Sequence, residues 1–420
     1  MFRPDPAGPA APRLRLGRLA LLGPAFVASV AYVDPGNVAS NLTAGARYGY
    51  ALVWVLVAAS LMAMVIQYQS AKLGLVTGIT LPQAMADRFA HHRFQRGLTL
   101  GYGIQAFVIA IATDLAEVVG GALGLYLLFG LPLWVGSIVV GVVAIVALWA
   151  LRSRGERVFE VGIGALLALV ALGFIGALFF QPPDLAAARA GLWPSIPDRD
   201  ALPLIAAMLG ATVMPHAIYL HSGLAIDRHR PHGHLDRPLK RLLGAQKLDV
   251  GLALILSGSV NISMLLLGAS ALGETSPDPI ETTHALLARE LSATAATVFA
   301  IGLLASGIGS AIVGTHAGSR ILKDMQVLRV EPTLRRAITI GPAVLLLLTG
   351  VSPTEVLIWS QIVLSFGIAL AAAPLALVTA DRSVMGEHAD RSWQKVLNWL
   401  IVGLIIGLNL AMIWWSLSGR

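Results

Sequence analysis

Windows of about twenty apolar residues, the length that crosses a bilayer as a helix, recur along this chain. They fall at roughly 19–46, 51–76, 98–128, 132–150 and 158–180, then at roughly 201–226, 248–272, 294–319, 335–351, 354–379 and 396–417. In hydrocarbon every backbone amide must find its partner within the protein, so these windows predict eleven transmembrane α-helices. Composition agrees: 56% of the 420 residues are hydrophobic and 13% charged, against about 25% charged in a soluble domain. The expected class is an all-α polytopic membrane protein. There is no cysteine, which excludes disulfides and thiolate metal sites. The first window ends in no small-residue cleavage site, so it reads as a retained span rather than a signal peptide.

Lys and Arg fix the expected orientation. Counting alternate connections from the N-terminus, about 25 of them lie on one side. The other side holds Arg47, Arg189, Arg199, Arg289 and Arg420. By the positive-inside rule the N-terminus is cytoplasmic and the C-terminus extracytoplasmic, in a multi-pass cell-membrane protein. The net charge of +7 therefore reports basic cytoplasmic loops and not a nucleic-acid surface.

Two spans carry breaks. In span one, Asp34 sits where the hydrocarbon is thickest, followed by Pro35 and Gly36. Proline removes a backbone donor and glycine relaxes the chain, so the helix is expected to break there. In span six, Pro215 falls within Ala211-Thr-Val-Met-Pro-His216. One intramembrane proline is ordinarily a harmless kink. Two breaks five spans apart are a different signal, because an odd repeat length inverts the second copy, and paired interruptions mark a transporter's substrate site. The domain reading is a tail at 1–18, a five-helix repeat at 19–180, an inverted five-helix repeat at 201–379, and an eleventh helix within 392–420.

The breaks bring together a particular donor set. Asp34 offers an anionic oxygen, Asn37 an amide oxygen, and unwound backbone frees carbonyls near Ala31 and Ala211. Met214 adds a thioether. A methionine in a membrane helix is ordinarily packing; at the second break it turns an all-oxygen set into one suited to a softer transition metal, Mn²⁺ or Fe²⁺, over Ca²⁺ or Mg²⁺.

Asp34-Pro35-Gly36-Asn37 with Met214-Pro215-His216 and Leu220-His221-Ser222 resembles the Nramp family (natural resistance-associated macrophage protein), proton-coupled divalent metal transporters with the LeuT-like fold. The similarity extends over about residues 19 to 380. It takes in Ala44-Gly-Ala-Arg-Tyr-Gly-Tyr50, Ala112-Thr-Asp-Leu-Ala-Glu117, Ala305-Ser-Gly307 with Gly314-Thr315, and Ser360-Gln361. The resemblance implies that Asp34, Asn37, Met214 and the Ala31 and Ala211 carbonyls bind the metal, with Gln361 joining on occlusion. It implies secondary transport of Mn²⁺, Fe²⁺, and also Cd²⁺ and similar ions, with protons, by alternating access. No catalysis is expected, and no HExxH, Walker or GxGxxG pattern stands at a compatible place.

Asp114 and Glu117, spaced i, i+3 in span three, share a helix face. They are either a structural pair satisfied by an arginine or part of a proton path. Arg336 is the partner the resemblance favours. His216, just past the second break, titrates near neutrality as a free side chain and is a further candidate for proton transfer or gating. If Asp34 is protonated before metal enters, metal displaces that proton and Asp114 receives it. Gln67, His221 and Asn261 are candidates for gating, against a plain role in interhelical hydrogen bonding. Two positions depart from the family pattern: Phe107, where many members carry Glu, and Ser352, where many carry an acid. The His229, His232 and His234 loop reads as solvated. The expected partners are divalent transition metal ions, protons and the lipid bilayer, with no resident cofactor, and the chain is expected to act as a monomer. The rival readings are a Mg²⁺-carrying relative, an amino-acid transporter of the same fold, and a cation channel.

Overall fold

The structure is a computed structural model and describes residues 23–90, 93–230, 233–272, 278–325 and 332–418. Among the described residues seventeen α-helices follow one another. They are α1 (Pro24–Val30), α2 (Pro35–Tyr48), α3 (Val53–Thr77), α4 (Leu81–Ala90), α5 (Gln95–Phe129) and α6 (Leu133–Arg152). Next come α7 (Glu156–Phe180), α8 (Leu185–Ala190), α9 (Ala201–Thr212), α10 (Pro215–His229), α11 (Leu239–Ala271) and α12 (Pro279–Leu286). The last are α13 (Ala293–Met325), α14 (Pro332–Leu348), α15 (Pro353–Ala380), α16 (Arg382–Met385) and α17 (Ser392–Ser418).

Among the described residues, nine helical stretches are long and apolar enough to cross a membrane. The first and ninth spans expected from the sequence are not among these nine. The first is divided at Asp34 into an apolar stretch, Pro24–Val33, and α2. The ninth, α14, has 17 residues. Four helices escape a twenty-residue hydropathy window because they are short: α4, α8, α12 and α16.

Both breaks are built alike. A 3-10 turn over Ala31–Val33 ends at Asp34, whose backbone is extended (φ −70°, ψ 167°), and α2 restarts with Pro35 in its first turn. In span six, α9 ends at Thr212, Met214 is extended (φ −70°, ψ 124°), and α10 restarts with Pro215. Proline at a helix's first position loses no hydrogen bond, since that amide has no intrahelical partner. The prolines therefore start the second half-helix of each broken span rather than kink a continuous one. Gly36 does not break the helix as its sequence position suggested: it lies within α2, with no positive φ.

The half-helices occupy the centre of the bundle. α2 packs along α11, α15 along α9, and α13 along both α5 and α7. Small residues allow the close crossings. A Cβ at Gly45 would collide with the Leu265 carbonyl, and one at Gly268 with the Leu42 carbonyl. At the bundle's edge, Lys72 at the end of α3 pairs with Asp390 at 2.7 Å, both side chains buried.

Candidate metal site

Asp34 caps the restart of α2: its Oδ1 accepts from the Asn37 backbone N–H at 2.8 Å and from Asn37 Nδ2 at 2.8 Å. An N-cap aspartate satisfies amides that the helix leaves open. The same Asn37 Nδ2 donates to the Ala211 carbonyl at 2.9 Å, at the end of α9. One amide thus ties the first break to the second, across 174 residues of sequence. Thr212 Oγ1 donates to Asn37 Oδ1 at 3.3 Å.

Gln361 on α15 closes over this group. Its Nε2 donates to Asp34 Oδ2 at 3.2 Å. A Cβ on Gly36 would collide with the Gln361 side chain, and one on Gly210 with the Gln361 carbonyl. Two glycines, on α2 and α9, therefore make the slot in which Gln361 lies. Asp34, Asn37, Ala31, Ala211, Met214 and Gln361 are all fully buried. Met214 is the extended residue before α10 and cannot cap that helix through its side chain.

Two of the three carbonyls in the Ala31–Val33 turn are taken by side chains. Asn261 Nδ2 donates to the Tyr32 carbonyl at 2.7 Å, and Ser306 Oγ to the Val33 carbonyl at 2.5 Å. Among the described residues no three His, Asp or Glu side chains gather as a metal cluster. The hydrogen bonds at the breaks join a single carboxylate to amide and carbonyl groups, and Met214 is the buried, extended residue of the second break.

Asp114 and Glu117 lie buried on α5. His216, at the start of α10, has Nδ1 3.3 Å from Thr113 Oγ1, one residue before Asp114. The Glu117 carboxyl fills the space beside Gly314 of α13. Arg336 falls in α14, and its side chain lies outside the described residues. The three gating candidates come together around Tyr32. Gln67 Nε2 donates to the Tyr32 hydroxyl, Gln67 Oε1 is 2.6 Å from His221 Nδ1, and Asn261 holds the Tyr32 backbone and meets Asn41 at 3.3 Å.

Sequence reasoning quoted Ser306 within a motif shared with the family but gave it, Thr212 and Tyr32 no role at the site, because hydroxyl residues in apolar helices are common and carry no spacing signal. It also missed the group opposite Ser352. There, Asp278 accepts from Ser352 Oγ at 3.0 Å and Thr354 Oγ1 at 2.6 Å. A carboxylate thus sits at the start of α15 after all, supplied by the N-cap of α12, 74 residues earlier in the chain.

The profile described as natural resistance-associated macrophage protein-like matches residues 25–415. The chain belongs to the Nramp family. It is 45% identical over 402 residues to the divalent metal cation transporter MntH of Mycobacterium tuberculosis, covering 95% of this chain and 92% of that one. It is 40% identical over 400 residues to MntH of Bacillus subtilis, covering 94% and 92%. Among solved structures, the Nramp chain is similar to the Eremococcus coleocola manganese transporter, with a TM-score of 0.81 and 27% identity over 96% of this chain and 88% of that one. The nucleobase-cation-symport-1 transporter MHP1 matches with a TM-score of 0.59 and 14% identity over 94% and 93%. At that identity it speaks for the fold alone, which is LeuT-like.

Proposed function

We propose that this Nramp chain imports a divalent transition metal, Mn²⁺ or Fe²⁺, together with protons, by alternating access. The observation that carries the reading is the buried convergence of Asp34, Asn37 and the Ala211 carbonyl from two broken helices under Gln361. The names of its relatives, divalent metal cation transporter and manganese transporter, point to the same substrate class. Those relatives are transporters, which speaks against an enzyme.

The site's hydrogen bonds suggest how metal enters it. Asn37 Nδ2 now faces two oxygens, Asp34 Oδ1 and the Ala211 carbonyl, through its two hydrogens. A cation held by those oxygens takes the place of the amide hydrogens, and Asn37 turns its Oδ1 inward as a further ligand. Thr212 then accepts from the turned amide instead of donating to it, which a hydroxyl does equally well. Met214 supplies the thioether and Ala31 the remaining carbonyl. Asp34 gives up any proton it holds, and Asp114 receives it; Glu117, His216 and Arg336 continue the relay. The Lys and Arg asymmetry of the connections supports a cytoplasmic N-terminus in the cell membrane. A single chain holds the whole donor set, in keeping with a monomer.

Purified protein in proteoliposomes tests the reading. Saturable Mn²⁺ and Fe²⁺ uptake, accelerated by an inward proton gradient and weak for Mg²⁺ and Ca²⁺, is the expected result. Unsaturable flux, or uptake of Mg²⁺ as fast as Mn²⁺, overturns it. Proton influx that persists unchanged in Asp114→Asn at matched metal uptake removes Asp114 from the relay.

A further inference from the structure

One buried carboxylate takes no part in the site described above. Asp249, about three turns into α11, is fully buried. Its Oδ1 accepts from the backbone N–H of Gly23 at 3.1 Å and its Oδ2 from that of Ala25 at 2.9 Å, 226 and 224 residues away. These are the residues at which α1 begins. The end of α1 is held from a second direction by Glu160 of α7. Its carboxyl fills the space where a Cβ on Gly23 would lie, and Arg228 of α10 approaches Glu160 at 3.4 Å. Gly23 has φ 155°, a backbone conformation open to glycine.

Asp249 is also the end of a chain of donors. Gln246 Nε2 donates to Asp249 Oδ2 at 3.2 Å and lies 3.1 Å from His221 Nε2. His221 Nδ1 is 2.6 Å from Gln67 Oε1, and Gln67 Nε2 donates to the Tyr32 hydroxyl. One assignment satisfies every member: neutral His221 with its proton on Nδ1 donates to Gln67 and accepts from Gln246. Tyr32, Gln67, His221, Gln246 and Asp249 are all buried. The chain runs from the far end of α1 to the residue two before Asp34.

We infer that Asp249 is a positioning residue for transport. It clasps the start of α1, and the donor chain through Gln246, His221 and Gln67 ties that clasp to the break beside the metal site. Opening toward the α1 side requires both to part. A charge-assisted hydrogen bond to buried amides is strong and directional, while Gln246, His221 and Gln67 are neutral links that exchange partners readily. The clasp thus sets how often α1 leaves the bundle, and the chain makes that departure sensitive to what Tyr32 and its neighbours hold. The inference rests on the transport reading for its purpose, but its test does not depend on metal.

The natural absence of cysteine supplies a clean background for the test. Single reporters are placed at Ser29→Cys, buried within α1, and at Thr43→Cys, which lines a cavity of about 500 Å³ with Arg47, Asp200 and Glu355 at the opposite end of the breaks. Each is combined with Asp249→Asn, which keeps the volume but offers an N–H₂ group to one of the two amides, and with Gln246→Leu, which cuts the donor chain and leaves the clasp. Labelling rates with an impermeant thiol reagent are compared in reconstituted protein. Asp249→Asn is expected to raise labelling at Ser29→Cys about tenfold and lower it at Thr43→Cys, as a population shift between two states requires. Gln246→Leu should move both reporters the same way by a smaller factor. Unchanged labelling at Ser29→Cys overturns the inference, and so does a rise at both reporters, which reports general loosening. If the labelling shifts while wild-type protein carries no Mn²⁺, the transport reading fails and the clasp stands. If Mn²⁺ is carried and labelling does not shift, the clasp fails alone.

Discussion

Gly36 has no side chain, yet it decides where Gln361 can lie. The Gln361 amide occupies the space that a Cβ at position 36 would take, and from there it reaches Asp34 Oδ2 at 3.2 Å. Gly36→Ala is therefore expected to push Gln361 off Asp34 while leaving α2 helical, since alanine is the better helix former. The Mn²⁺ KM for uptake should rise about tenfold, with protein yield and thermal stability near wild type; an unchanged KM refutes the slot. Met214 acts through chemistry instead of shape. Its thioether is the one soft donor in the proposed set, so Met214→Ala should narrow the preference for Mn²⁺ over Ca²⁺ and Mg²⁺. Competition of Ca²⁺ against Mn²⁺ uptake reads this directly, and equal competition in wild type and variant counts against the thioether. The charged and sulfur-bearing residues of this set were legible in the sequence because each stands out in an apolar window. Thr212 and Ser306 were not, because their meaning depends on which carbonyl or amide they face across the bundle. Gly36 was legible as a feature and misread as to role: sequence offers only its conformational freedom, whereas the fold uses its lack of volume.

At the scale of elements, the two broken helices follow from local rules. Each restarts from an extended residue followed by proline, and proline at that position costs no hydrogen bond. The hydropathy windows recovered these spans because lipid leaves a helix no alternative. The short helices α4, α8, α12 and α16 stayed hidden because each is too brief to register in a twenty-residue average. The packing partners were equally hidden. The α2–α11 crossing depends on Gly45 and Gly268, each of which sits against a backbone carbonyl of the other helix. A methyl group has nowhere to go at either place, because the obstacle is backbone and not a flexible side chain. Gly45→Ala and Gly268→Ala are each expected to destabilise the protein by about 1–3 kcal/mol, the usual range for overpacking. The double variant should lose less than the sum, since one displacement of the helices relieves both contacts. Thermal unfolding in detergent measures this, and full additivity would argue that the two glycines do not share one crossing.

For the whole molecule the question is what joins the last helix, α17, to the helices before it. α17 packs against α15 and α9, and it carries no residue of the proposed donor set. Just before it, Asp390 accepts from Lys72 Nζ at 2.7 Å, from Gln69 Nε2 at 3.0 Å and from Asn398 Nδ2 at 2.8 Å. The side chains of Lys72 and Asp390 are 6% and 0% exposed. Lys72 stands at the edge of the second connection in the sequence, among the roughly 25 basic residues counted toward orientation; the structure gives it a buried partner 318 residues away. A buried ion pair is weak evidence of net stability, because desolvation offsets much of the attraction, but removing one partner strands the other. Lys72→Met should therefore cost about 3–5 kcal/mol by leaving the Asp390 carboxylate with neutral donors only. Lys72→Met combined with Asp390→Asn should recover most of that loss, because the stranded charge is gone and Gln69 and Asn398 still have a carbonyl to meet. Mn²⁺ uptake per folded molecule should stay near wild type in the double variant, since the pair lies away from the two breaks. The decisive comparison is the thermal midpoint of the single variant against the double: equal midpoints would mean that the Asp390 charge is not what the missing lysine leaves uncompensated.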